Sequence, residues 1–169
     1  FPTNAIIFCL NSQSINLSDV QEVVYYEKPL LTFERLLETY MGSCPRGIRS
    51  FIAAMQVWSK DKLFLKSELK KNLINIQKRL GSDSFNIPEL LFSEHHLFHA
   101  AAAFYPSPHF NSAVLCMDGV GEWSTTSFGI GKDNRMEILA DIKFPNSLGL
   151  LYSAITYYIG FRVNSGEYK

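Results

Sequence analysis

The stretch that decides the fold is residues 112–130, SAVLCMDGVGEWSTTSFGI. It opens with small and apolar residues, which predict a buried strand ending at Asp118. Two glycines then indicate a turn, and residues 125–130 predict a second strand. After a further turn, residues 136–142 predict a third strand. Because the connections are short, we expect these three strands to form an antiparallel meander.

Helical patterns flank this meander on both sides along the sequence. In chain order, we expect a helix at residues 5–10 capped by Thr3, a strand at 22–26, a helix at 32–40, helical structure from 48 to 80, a strand at 89–92, a helix at 93–104 capped by Ser93, and a helix from Ser147 to Gly160. The stretch 48–80 fits either one long helix or two joined near residues 60–61. A three-stranded meander with flanking helices predicts a mixed α/β (α+β) layer architecture.

The last predicted helix carries an apolar stripe. Leu148, Leu151, Ile155 and Ile159 recur at helical spacing and fall on one face. We expect this face to belong to the hydrophobic core rather than to a substrate pocket.

Composition bounds the class of protein. The 169 residues fit one domain, and 47% of them are hydrophobic, so the chain can bury a core. The 16 basic and 16 acidic side chains cancel, which gives no electrostatic argument for nucleic acid. Three cysteines without a C-x-x-C pair argue against a secreted disulfide framework. No apolar stretch is long enough to predict a membrane span, and a cytoplasmic location is the expectation.

Three of the four histidines cluster at the start of the helix predicted for residues 93–104. His95 and His99 are four residues apart, so their side chains lie above one another on one helix face. That spacing allows two imidazoles to bind one metal ion. His96 lies about 100° around the helix, and it can reach either the same site or a substrate. Ordinary capping and packing histidines are the alternative interpretation.

A carboxylate and a glycine turn follow the first strand of the meander. The segment is Asp118, Gly119, Val120, Gly121 and Glu122, with hydroxyl side chains at 125–127. Glycines let backbone N–H groups approach phosphate oxygens, and hydroxyls can donate to the same oxygens. Asp118 can hold a metal or orient a nucleophile. A plain strand–turn–strand hairpin is equally compatible with this pattern.

Three stretches resemble the carbamoyltransferases of nodulation and antibiotic biosynthesis. They are SEHHLFHAAAAFYPSP (93–108), AVLCMDGVGEWSTTSFGIG (113–131) and FPNSLGLLYSAITYYIGFRVNSGEYK (144–169). Together they cover most of residues 93–169 in the same order, while the N-terminal half matches more loosely.

The resemblance implies a partial actin/Hsp70-like (ribonuclease H-like) nucleotide-binding fold, related to the enzymes that make threonylcarbamoyl-adenosine in tRNA. It implies transfer of a carbamoyl group to a hydroxyl of a small-molecule acceptor. The donor would be carbamoyl-adenylate, made from carbamoyl phosphate and ATP. Residues 1–169 would be a fragment of the N-terminal catalytic domain, without the C-terminal adenylate-forming domain and inactive alone. Neither nucleic acid nor a membrane is an expected partner, and the oligomeric state is open.

The resemblance also assigns roles to residues. His95, His99 and Asp118 match the ligands of a divalent metal, iron or alternatively magnesium or manganese. His96 and Asp118 are the candidate catalytic residues. The acceptor hydroxyl needs a base, for which His96 is one candidate, and the sequence leaves the identity of that base open. The expected contacts to ATP or carbamoyl-adenylate are Gly119, Gly121, Glu122, Thr125, Ser127, Gly166 and Lys169.

Other functions remain open at the level of sequence. One is a non-catalytic module of the same fold that binds a nucleotide or a partner protein. Another is a protein like the tRNA threonylcarbamoyl transferases, which the neutral charge disfavours. A metal-dependent hydrolase is a third, but no base that would activate water is recognisable.

Overall fold

The computed structural model describes residues 1–81 and 86–166. The elements are α1 (Thr3–Ser12), a short 3-10 helix (Leu17–Asp19), β1 (Glu22–Tyr25), α2 (Pro29–Ser43), α3 (Ile48–Asp61), α4 (Leu65–Arg79), β2 (Glu89–Phe92), α5 (His95–Phe104), β3 (Asn111–Met117), β4 (Ser124–Lys132), β5 (Arg135–Lys143) and α6 (Leu148–Tyr158). The predicted mixed α/β class is confirmed. Of the two alternatives for residues 48–80, the pair of helices is confirmed.

The chain folds into two compact units that alternate along the sequence. Unit 1 comprises residues 1–25 and 39–92, and unit 2 comprises residues 26–38 and 93–169. Each unit has its own core.

In unit 1, α4 supplies the centre of the core. Leu69, Leu73 and Ile76 recur at helical spacing and are buried together with Leu10, Leu17 and Leu90. β1 and β2 pair in parallel, with Glu22 opposite Glu89. A parallel pair requires a long connection, and here α2, α3 and α4 lie between the two strands in sequence.

Unit 2 contains the sheet that positions the site. Its strand order is β3-β4-β5, and both pairings are antiparallel, which confirms the predicted meander. Helix α5 packs on one face of this sheet, where Ala100 and Phe104 are buried against Val114. The ring of Phe104 approaches the backbone of Gly131 so closely that a Cβ atom there would lie 2.3 Å from it. The histidines at the start of α5 are thereby held beside the ends of β3 and β4.

The opposite face of the sheet carries exposed apolar side chains. They come from alternating positions of β3 and β4, namely Leu115, Met117, Phe128 and Ile130. α6 is also exposed, because Leu148, Leu151, Ile155 and Ile159 are 50% to 60% accessible. The prediction that this stripe is part of the core is therefore wrong within residues 1–81 and 86–166. The helix itself forms as predicted, with Ser147 as N-cap and Gly160 at a φ of +89° just beyond its end.

Within residues 1–81 and 86–166, no helix combines the length and the apolar composition that a bilayer crossing requires.

Candidate functional site

Helix α5 brings two histidines together at its N-terminal end. His95 and His99 are one turn apart, their rings are perpendicular, and the ring centroids are 4.5 Å apart. Their Nε2 atoms are 3.0 Å apart. The ring of Tyr26 lies beside this pair, with its centroid 5.8 Å from that of His95. The predicted same-face geometry of the two imidazoles is thus present.

Asp118 follows the last residue of β3 and faces the histidines. Its Oδ2 atom lies 2.9 Å from His95 Nε2, and its Oδ1 atom accepts a 2.6 Å hydrogen bond from the backbone N–H of Gly119. Burial opposes ionisation of this carboxyl, but the Gly119 N–H and the neighbouring imidazoles outweigh it and lower the pKa of Asp118. The side chain is therefore held as an anion.

These three side chains form a set of donor atoms suited to a cation. One donor atom each from His95, His99 and Asp118 lies within 4.8 Å of the other two. The Nε2 atom of His95 has two close neighbours, Asp118 Oδ2 and His99 Nε2, yet it carries at most one hydrogen. A cation would satisfy this nitrogen, and its separations of 2.9 Å and 3.0 Å from the other two donors match ligands at about 2.1 Å in adjacent octahedral positions, which are about 3 Å apart. The residues present thus fit a divalent metal.

His96 points away from this cluster, towards the sheet. Its side chain is only 4% accessible, and Nδ1 lies 2.8 Å from the hydroxyl oxygen of Ser127. Nε2 is buried without a hydrogen-bond partner among the described residues. Burial lowers the pKa of His96, and this effect outweighs the charge of Asp118, which raises it. Within the described residues the His96 ring is thus enclosed against β4, and its role as the base for an acceptor hydroxyl stays a prediction.

The backbone N–H groups of the glycine turn have acceptors within the turn. The N–H of Gly119 donates to Asp118, and the N–H of Gly121 donates 2.9 Å to the carbonyl oxygen of Ser124. Both groups that were predicted to approach phosphate are thus engaged within the turn. Gly121 is needed for another reason, since a Cβ atom there would lie 3.1 Å from the ring of His96. The missing side chain lets the turn pack against the histidines.

Glu122 is buried, and its expected contact with a nucleotide stays a prediction. It is 5% accessible, and its carboxylate accepts hydrogen bonds from the backbone N–H groups of His95 and Lys28. His95 is the first residue of α5, so Glu122 binds a backbone donor at the helix N-terminus. The predicted N-cap, Ser93, is wrong by one position, because Glu94 occupies it and makes no side-chain cap hydrogen bond among the described residues.

The other predicted ligand-binding residues are not brought to the cluster. Thr125 is fully buried, and its hydroxyl faces the carbonyl oxygens of Ile142 and Asn146. Ser127 is buried against His96. Gly166 is buried beside the backbone of Arg162, where a Cβ would lie 2.8 Å from a carbonyl oxygen. Lys169 lies outside the described residues.

The sequence interpretation missed the segment 26–38. Its Lys28 donates the backbone N–H that Glu122 accepts, and its Nζ forms a 2.9 Å ion pair with Glu94. Arg35 lies in the field of Glu122 and Glu27, while burial lowers its pKa. Lys28 lies 94 residues from Glu122 in the sequence, and no spacing rule connects the two.

Comparisons with known proteins give a consistent family. The sequence model of the protein family described as the carbamoyltransferase N-terminus matches residues 1–169. An uncharacterized protein of Synechocystis sp. is 58% identical over 169 residues, covering 100% of this chain and 27% of that protein. The nodulation protein NolNO of Sinorhizobium fredii is 27% identical over 168 residues, covering 99% of this chain and 22% of NolNO. An uncharacterized protein of Methanocaldococcus jannaschii is 30% identical over 127 residues, covering 62% of this chain and 21% of that protein. The chain thus spans only 21% to 27% of the length of these relatives.

Proposed function

This chain belongs to the carbamoyltransferase family, whose N-terminus it represents, and on that premise we propose that it contributes the metal-binding part of a site for carbamoyl transfer. The group would pass from carbamoyl-adenylate, made from carbamoyl phosphate and ATP, to a hydroxyl of a small-molecule acceptor. The family membership and the similarity to a nodulation protein support this reaction class. An actin/Hsp70-like relationship of the fold is part of the same proposal.

One observation carries the proposal. His95, His99 and Asp118 each offer one donor atom, and these three atoms lie within 4.8 Å of one another. Two imidazoles and one carboxylate are a donor set that Fe(II) accepts, with positions left open for substrate. We therefore propose iron as the metal, with magnesium or manganese as alternatives. Bound there, a divalent ion supplies Lewis-acid polarisation of a carbonyl and stabilises developing negative charge.

Other contacts within this chain fix the charge and the position of the three proposed ligands. Asp118 is held as an anion by the Gly119 N–H and the imidazoles. α5 fixes His95 and His99 on one face, and the buried ring of His96 anchors the same turn to β4 through Ser127. Fixed ligands need less reorganisation on binding than mobile ones.

Calorimetric titration with Co²⁺ under anaerobic conditions tests the metal site. We expect one ion per chain, and we expect His99→Ala to remove the binding. His109→Ala is the matched control, because this fourth histidine is exposed and its ring lies outside the three-donor cluster. Equal Co²⁺ affinity in wild type and His99→Ala would contradict the proposal and favour a non-catalytic binding module.

Transfer itself is tested with carbamoyl phosphate, ATP and a sugar acceptor. Since the chain corresponds to only 21% to 27% of its relatives' length, we expect no product from residues 1–169 alone. Carbamoylated acceptor formed by this chain alone would contradict that expectation.

A further inference from the structure

We propose that Glu122 is a positioning residue for the metal site, which it serves by fixing the N-terminus of the histidine-bearing helix α5. This inference rests on the function proposed above. It differs from a role in binding nucleotide, because Glu122 acts through His95 rather than on a ligand.

The first argument is the hydrogen bonding of the carboxylate. Oε1 accepts from the backbone N–H of Lys28 at 2.8 Å and from that of His95 at 3.1 Å, and Oε2 lies 3.0 Å from the same His95 nitrogen. The backbone N–H of His95 belongs to the residue whose imidazole faces Asp118. A shift of this backbone atom therefore moves a proposed metal ligand directly.

The second argument is that the N-cap residue of α5 does not itself cap the helix with its side chain. Its N-cap residue, Glu94, is in an extended conformation and makes no side-chain cap hydrogen bond among the described residues. The first N–H groups of a helix have no intrahelical acceptor, so a buried end needs an acceptor from elsewhere. A carboxylate there also interacts favourably with the positive end of the helix dipole.

The third argument is burial and charge. Glu122 is 5% accessible, and a buried carboxylate is stable only when hydrogen-bonded or paired. The two backbone donors and the nearby guanidinium of Arg35 provide this compensation. The next residue, Trp123, accepts a hydrogen bond from Phe144 N–H through its carbonyl oxygen, so the turn is held on both sides of Glu122.

Three substitutions separate positioning from a general charge effect. Glu122→Gln keeps the length of the side chain and one oxygen that can accept from both N–H groups, as Oε1 does, but its NH2 group cannot replace Oε2 as an acceptor for His95 N–H. Glu122→Asp keeps the charge but is shorter by one methylene, and Glu122→Ala loses both properties. Glu94→Ala is the matched control, because it removes an exposed carboxylate from the same end of α5.

The measurement is Co²⁺ affinity by calorimetry, together with the visible absorption spectrum of the bound ion, which reports its coordination geometry. We expect Glu122→Ala to weaken binding about tenfold or more and to change the spectrum. We expect Glu122→Gln to lie nearer wild type than Glu122→Asp does, and Glu94→Ala to match wild type.

Two results would overturn the inference. One is wild-type affinity and spectrum in Glu122→Ala while His99→Ala has lost the ion. The other is better binding by Glu122→Asp than by Glu122→Gln, which would indicate a field effect of the charge. If Glu122→Ala does not fold, the order of the other two variants decides. Failure of wild type itself to bind Co²⁺ would instead refute the proposed function.

Discussion

A methyl group added at Gly121 should disturb the histidines, whereas the same group at Gly119 should not. At Gly121 the new carbon would lie 3.1 Å from Cδ2 of His96 and 3.2 Å from both Cβ and Cδ2 of His95. Carbon atoms prefer separations of about 3.5–4.0 Å, so the rings must shift by a few tenths of an ångström. At Gly119 the nearest atom would be a Leu150 methyl at 3.9 Å, which is an ordinary contact.

The magnitude follows from comparing the two variants. The left-handed glycines of the described chain are elsewhere, so neither replacement strains φ. Both replacements restrict the unfolded chain equally, and this contribution cancels in the difference. The remaining difference is the cost of overpacking at Gly121, about 1–3 kcal/mol. For a chain of this size, each kcal/mol lowers the melting temperature by roughly 2–4 °C.

Thermal unfolding followed by circular dichroism measures the stability difference, and Co²⁺ titration measures the effect on the site. We expect Gly121→Ala to melt below Gly119→Ala and to bind Co²⁺ about tenfold more weakly, which corresponds to about 1.4 kcal/mol. Equal melting temperatures and equal affinities for the two variants would refute the packing argument.

Other predictions concern unit 2 and one helix of unit 1. Gly131→Ala should lower the free energy of unfolding by about 3 kcal/mol or more, because its Cβ would collide with the buried Phe104 ring. Gly42→Ala should leave the free energy of unfolding in urea unchanged or raise it, since nothing lies within 4 Å of a Cβ at that position. The pKa of His96 is lower in the folded protein than in the unfolded chain, so the unfolded chain takes up a proton at higher pH. The free energy of unfolding should therefore fall as the pH drops below about 6.5. Urea unfolding across pH should show a weaker dependence in His96→Gln, and an unchanged slope would contradict the assignment. Ser127→Ala should cost about 1–3 kcal/mol in the same assay because it leaves buried His96 Nδ1 without its partner; a change below about 0.5 kcal/mol would contradict this contact.

Local patterns predicted much of the fold. Apolar and β-branched residues on both sides of the Asp118 turn predicted the strands of the meander, and the short connections predicted their antiparallel order. The expected burial of the first strand is wrong among the described residues, because alternate side chains of β3, including Leu115 and Met117, are exposed. The helical spacing of His95 and His99 predicted their shared face, because that depends only on helix geometry. The parallel pairing of β1 with β2 was not predicted, since it joins residues 22–25 to residues 89–92 across three helices.

The surroundings of the other candidate site residues depend on contacts that local sequence patterns do not predict. Spacing places His96 about 100° from its neighbours, but only the packing of α5 on the sheet turns that ring into the interior. Hydroxyls at Thr125 and Ser127 look available in the sequence, yet strand alternation directs both inward. For Glu122, the deciding partner is the N–H of Lys28, 94 residues away.

That long-range contact has a consequence for the order of events in folding. Helix α5 and strands β3 to β5 are contiguous between residues 95 and 143, so their contacts close only short loops and can form early. The hydrogen bond from Lys28 to Glu122 closes a loop of 94 residues, and its entropy cost must be met before the contact contributes. The imidazoles and the aspartate therefore approach each other through local contacts, whereas the contact of Glu122 with Lys28 needs the distant N-terminal segment.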